Sequence, residues 1–253
     1  MARSVVLEAR GLIRRYPGMD RPAVAALDLT ILQGEIFGLL GPNGAGKTTT
    51  IAILSTTLGP EGGTVTVCGE NLLKNTHRAR RRIGLVPQEI ALYPELTANE
   101  NLDFFGRMHH LKGAALKAAR EAALAAVGLS ARGDQKVATF SATFSGGMKR
   151  RINLAAGLLH RPAMLFLDEP TVGIDAQSRH LILDKLLALK AEGLTMLYTT
   201  HYMEEAEQLC DRVAIMDRGR ILRTGPPGEL VAAEECRDLG ELFLHLTGRE
   251  LRD

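Results

Sequence analysis

The feature that most constrains this chain is the run Gly41-Pro42-Asn43-Gly44-Ala45-Gly46-Lys47-Thr48, which lies between an apolar stretch at 36–40 and a segment at 48–58 with helical spacing. The run fits G-x-x-x-x-G-K-[ST], in which the glycines let backbone N–H groups turn inward without a Cβ clash. A helix beginning at its end adds partial positive charge, so the unit is suited to cradling phosphate. Lys47 would neutralise β and γ phosphates, and Thr48 offers a hydroxyl to Mg²⁺, a hard ion that prefers oxygen ligands. A simple glycine turn is the plain alternative, and the strand before and helix after it argue against that reading.

Beyond the loop, strands are expected at 5–7, 26–32, 36–40, 64–68, 82–86, 164–167, 195–200 and 213–217, with helices at 148–159, 178–191 and 204–211. Such alternation predicts an α/β fold whose mostly parallel sheet is covered on both faces. Residues 99–127 are rich in alanine and leucine at helical spacing, closed by Gly128, and read as a helical insertion. The basic stretch Arg78, Arg80, Arg81 and Arg82 reads as a solvated face. The tail from 229 has several acids and an amphipathic pattern around 239–246, which suits packing or a dimer contact.

A second strand end carries chemistry. The apolar run 164–167 delivers Asp168 and Glu169 to the strand's C-terminal edge, where open α/β sheets bind ligands. Asp168 can hold Mg²⁺, and Glu169 can polarise or deprotonate a water that attacks a γ-phosphate. An acidic turn after a buried strand is the alternative. With 31 basic and 29 acidic side chains, the formal charge of +2 gives no overall footprint for nucleic acid. Cys68, Cys210 and Cys236 lack zinc or redox spacing, which points to a reducing, cytoplasmic setting. The N-terminus has no signal-peptide core, and no stretch approaches the roughly 20 apolar residues of a membrane span. Any membrane role is therefore expected to need another chain.

The loop, the acidic pair and the segment Phe144-Ser145-Gly146-Gly147-Met148-Lys149-Arg150-Arg151 stand in the order found in ATP-binding cassette proteins, a family this chain resembles from Tyr16 to about Gly225. The resemblance implies one domain over 1–253: a RecA-like P-loop core with an antiparallel β subdomain at 1–90 and 161–225, a helical subdomain at about 91–160, and a helical tail at 226–253. It implies ATP as the nucleotide, held at residues 41–48 and Thr49. Tyr16 matches the aromatic that stacks on adenine, Gln88 the glutamine that senses Mg²⁺ and the membrane subunit, and His201 the switch histidine at the γ-phosphate. Asp175 matches the loop that signals across the dimer, and is equally suited to an ordinary helix cap. In the family, Ser145, Gly146 and Gly147 bind the γ-phosphate held by the opposite subunit. A dimer of hydrolysing cassettes is expected, either a homodimer with two competent sites or a heterodimer with a second ATP-binding subunit, peripheral on the inner face of the cell membrane and bound to a separate transmembrane permease.

Met148 replaces the usual glutamine of the signature and Phe144 the usual leucine. With Lys149-Arg150-Arg151 and the segment 199–206, this looks like the drug- and polymer-exporting branch, whose six-helix membrane partner is a separate subunit. Ala138-Thr139-Phe140-Ser141 is repeated at once as Ala142-Thr143-Phe144-Ser145, four residues beyond the family pattern. The repeat is expected either to lengthen a loop harmlessly or to weaken coupling mildly. Two other functions share these motifs: a soluble cassette ATPase acting on ribosomes or DNA, and a module that binds ATP without hydrolysing it. A single cassette without sustained heptads weighs against the first, and Glu169 with His201 against the second.

Overall fold

A computed structural model describes residues 3–137 and 144–248. In chain order, β1 (Val5–Arg14), β2 (Val24–Leu32) and β3 (Ile36–Leu40) lead into α1 (Lys47–Leu54). Next come β4 (Gly62–Val67), β5 (Glu70–Asn71), α2 (Thr76–Arg80) and β6 (Ile83–Val86). The helical insertion is α3 (Ala98–Met108), α4 (Gly113–Ala126) and α5 (Gly146–Leu158). The remainder is β7 (Met164–Asp168), α6 (Ala176–Ala191), β8 (Thr195–Thr200), α7 (Met203–Leu209), β9 (Arg212–Asp217), β10 (Arg220–Gly225), α8 (Pro227–Ala233) and α9 (Leu239–Thr247).

Two sheets result. The larger has the order β10-β9-β3-β8-β7-β6, parallel throughout except for β10, and the smaller is β2-β1-β4-β5, antiparallel throughout. The central strands β3, β7 and β8 are buried along their whole length because both faces are covered, which explains their continuous apolar sequence. Phe37, Leu39, Phe166, Leu197 and Met216 point to a core shared with the smaller sheet. Ile36, Leu40, Leu165, Leu167, Met196 and Tyr198 point to the opposite core, against the inserted helices and the tail.

The expected fold class is correct, and several boundaries differ for identifiable reasons. β1 runs to Arg14 rather than stopping near residue 7, because register shifts around Gly11, at φ +58°, carry the pairing past its polar residues. α1 ends at Leu54, earlier than expected, and Thr56 already has φ +68°. β5 and β10 escaped the sequence reading. Each follows a two-residue turn with positive φ at both positions, Cys68-Gly69 and Arg218-Gly219, so the first turn residue is not one of the usual asparagine or aspartate signals. Residues 138–143, which hold most of the repeated tetrapeptide, lie outside the described residues.

The tail belongs to the core. On α9, Leu239, Leu242 and Phe243 are fully buried, and the backbone N–H of Leu239 donates to Glu207 on α7 at 2.6 Å. Phe243→Ala is expected to cost about 3–5 kcal/mol, the range for emptying a buried aromatic site. Chemical denaturation measures this, and a loss below about 1 kcal/mol would show that α9 is only loosely attached.

Candidate active site

Strands β3, β8 and β7 are neighbours, and their C-terminal ends are level: Leu40 pairs with Thr200, and Asp168 with Thr199. The glycine loop leaves β3, Glu169 leaves β7, and His201 leaves β8, so residues far apart in sequence meet at one edge. The loop is shaped by close approach. A Cβ at Gly41 would lie 2.3 Å from the Met216 carbonyl oxygen. At Gly46, with φ +107°, it would lie 2.1 Å from that of Ala23. Only glycine fits either place.

Lys47 folds back over the loop, and its Nζ donates to the Gly41 carbonyl at 2.8 Å and the Pro42 carbonyl at 3.3 Å. It also pairs with Glu169 Oε1 at 3.1 Å, with both side chains almost fully buried, at 4% and 6% exposure. The other carboxylate oxygen of Glu169 accepts from Gln88 Nε2 at 3.4 Å and lies 3.3 Å from His201 Nδ1, without the alignment of a hydrogen bond. Glu169 itself has φ +45°, an uncommon conformation for a residue with a Cβ and one concentrated at functional sites. Its backbone N–H donates to Thr199 Oγ1 at 3.0 Å.

Asp168 accepts from Thr199 Oγ1 at 2.8 Å and from Thr48 Oγ1 at 3.4 Å on the same oxygen. Burial pushes its carboxyl above the ordinary range, against the pull of the Thr199 and Thr48 hydroxyls and of Lys47, while Glu169 reinforces the rise. Tyr16, partly exposed, places its hydroxyl 3.4 Å from Thr49 Oγ1 on α1, beside the loop.

The signature segment stands apart. Among the described residues, no hydrogen bond or ion pair joins Ser145, Gly146 or Gly147 to the glycine loop. Ser145 caps α5 by accepting from the Met148 N–H at 3.2 Å, and both Ser145 and Gly146 are exposed. Gly147 packs on α6, where a Cβ would come within 2.2 Å of Ser178 Oγ. Asp175 caps α6, accepting from the Ser178 N–H at 2.8 Å and its hydroxyl at 2.7 Å.

Residues 24–172 match the family model described as ABC transporter. The chain belongs to the ABC transporter family. It is 47% identical to the linearmycin resistance ATP-binding protein LnrL of Bacillus subtilis (strain 168), over 96% of this chain and 75% of that protein. Its identity to the Nod factor export ATP-binding protein I of Ralstonia nicotianae is 42%, over 94% of this chain and 72% of the other. Among solved structures it is similar to an ATP-binding subunit of an ABC transporter, with a TM-score of 0.81 and 29% identity, covering 96% of this chain and 99% of that one.

This cassette contains residues at the site to which the sequence reading gave no role. Thr199 holds both members of the acidic pair, and its only signal was a pair of threonines ending an otherwise apolar strand. Arg150, on α5, donates to the Gln88 and Val172 carbonyls and so ties the helical insertion to both flanks of the site. Asn153, one turn further, donates to the Pro87 carbonyl at 3.3 Å and accepts from the Ala91 N–H.

The raised pKa of Asp168 has a thermodynamic sign. A carboxyl whose folded pKa lies above its unfolded value favours folding fully only below the unfolded pKa, and that contribution is lost as pH rises through the folded pKa. Asp168→Asn keeps an oxygen for the two hydroxyls and never ionises. It is expected to raise the thermal midpoint at pH 7, with the advantage shrinking as pH falls through the raised pKa of folded Asp168 and gone once pH is below the ordinary carboxylate range. Calorimetry across pH 3–8 checks this, and a midpoint below wild type at pH 7 would contradict it.

Proposed function

We propose that this chain is the ATP-hydrolysing subunit of an exporter, acting as a dimer on a separate membrane subunit. The observation that carries the reading is the meeting of Lys47, Gln88 and His201 on the one carboxylate of Glu169. That carboxylate is the candidate general base, and hydrolysis of ATP to ADP and phosphate the candidate reaction. A phosphate chain entering the loop meets inward-turned N–H groups and competes with Glu169 for Lys47. Lys47 then compensates β and γ charge, while Glu169 turns to a water and His201 to the γ-phosphate.

Thr48, Asp168 and Gln88 offer oxygen donors beside the loop, a set that fits Mg²⁺, and Thr48 already lies 3.4 Å from Asp168. When bound, the ion would neutralise charge on the β and γ oxygens. Tyr16 stands where it can stack on adenine, next to Thr49 at the helix that opens the loop.

Ser145 and Gly146 are exposed at a helix N-terminus, the right character for an anion brought by another molecule. We assign that anion to ATP on a second copy of this chain, which makes the dimer ATP-dependent. To Asp175, which caps the helix against which Gly147 packs, we assign the signal between the two sites. We place residues 1–90 and 161–225 in the core with its β subdomain, about 91–160 in the helical subdomain, and 226–253 in a C-terminal tail, whose helix α9 packs on the core.

The export direction follows relatives named for Nod factor export and linearmycin resistance. No helix of the described residues is long and apolar enough to cross a membrane. Cargo selection therefore falls to the membrane subunit, with this chain peripheral on its cytoplasmic side. Glu169→Gln is expected to cut turnover by about 10²-fold or more and to trap an ATP-dependent dimer. Phosphate release and size-exclusion chromatography with ATP read both effects, and undiminished turnover would refute the assignment of the base.

A further inference from the structure

Glu205 is the most heavily engaged acid outside the site. It lies on α7, four residues beyond His201, and is only 3% exposed, whereas its neighbour Glu204 faces solvent. Three hydroxyls donate to its Oε2: Tyr198 at 2.6 Å, Thr200 at 2.9 Å and Thr171 at 3.0 Å. Its Oε1 lies 3.4 Å from Arg179 Nε, an ion pair without hydrogen-bond alignment. The Arg179 guanidinium in turn sits 4.5 Å from the Tyr202 ring centroid, and that ring lies 4.2 Å from the His201 ring.

The donors come from the segments that matter. Thr171 is two residues after Glu169, Tyr198 and Thr200 are on β8 just before His201, and Arg179 is in the first turn of α6, which Asp175 caps. A buried carboxylate costs free energy that an apolar residue of similar volume would avoid, so a role in stability alone is a poor explanation for it. What it supplies is register: one oxygen ties the end of β8, which leads into His201, to the segment that follows Glu169. The His201 to Glu169 contact, at 3.3 Å and unaligned, is the contact such a device would govern. Displacement of a positioned group by about 1 Å is enough to lose 10²-fold in rate.

We propose that Glu205 is a positioning residue for hydrolysis, holding the His201 loop against the segment that carries Glu169, with Arg179 and Tyr202 completing the support. This rests on the reading of Glu169 and His201 as the hydrolytic pair. Glu205→Gln keeps an oxygen for the hydroxyls and presents an amide to Arg179 in place of a carboxylate. It is expected to lower kcat roughly tenfold or more while leaving KM for ATP within about twofold and the thermal midpoint near that of wild type. In protein labelled with ¹⁵N-histidine, the His201 ring resonances should move and those of His77, on α2, should not.

Arg179→Met tests the same support from a partly exposed position and guards against a Glu205 variant that fails to fold; the same pattern is expected. Wild-type kcat in a folded Glu205→Gln or Arg179→Met protein would overturn the proposal. So would a fall in kcat with the His201 resonances unmoved. His201→Ala, measured alongside, separates the two levels: undiminished turnover there sinks the hydrolytic reading itself, whereas lost turnover there with normal Glu205→Gln sinks only this one.

Discussion

Leu40 pairs with Thr200, and Thr199 with Asp168, so three parallel strands end level at one edge of the sheet. Parallel hydrogen bonding fixes that register, and a slip of one residue in β8 would turn Thr199 away from the acidic pair and His201 away from Glu169. The glycine loop, the acids and the histidine are thus not three features but one consequence of strand pairing. The apolar runs that bury β3, β7 and β8 on both faces are what hold that pairing in place. Ordinary core packing on either side of the sheet therefore sets the positions of the polar groups at its edge.

At that edge the chain accepts local costs. Glu169 has a left-handed backbone, Asp168 is buried far enough to resist ionisation, and Lys47 with Glu169 forms an ion pair almost out of contact with water. A buried ion pair contributes little net stability, because desolvation offsets most of the Coulomb attraction. These features make sense together if the groups are held ready for a charged ligand that takes over part of their interactions. The tail, by contrast, serves packing: α9 buries three apolar residues and its aspartate cap, Asp238, accepts from the Glu241 N–H.

How much of this was legible in the sequence depends on whether a residue announces itself locally. Gly41, Gly46 and Lys47 follow from loop spacing, and Asp168 with Glu169 from acids ending an apolar strand. His201, Gln88, Tyr16 and Ser145 carry no local signal strong enough alone and were found through family resemblance. Thr199, Arg150 and Glu205 lie in segments that pointed to the family branch but received no role, because their contacts are with partners 31, 62 and 34 residues away. Glu205 was the least visible, since a glutamate in a first helical turn ordinarily serves the helix dipole at the surface. The strands β5 and β10 were missed for a different reason: their pairing depends on turns and neighbours rather than on their own composition.

In the proposed dimer the glycine loop is half of a site whose other half is the exposed Ser145 end of α5 in a second copy. Subunit complementation tests that most directly. Lys47→Ala spoils the loop and leaves the signature, whereas Ser145→Arg spoils the signature and leaves the loop. Each variant alone should be nearly inactive, and an equal mixture should recover up to about a quarter of wild-type ATP turnover, because half the dimers are mixed and each has one intact site. A mixture no more active than its separate components, although mixed dimers form, would contradict the shared site.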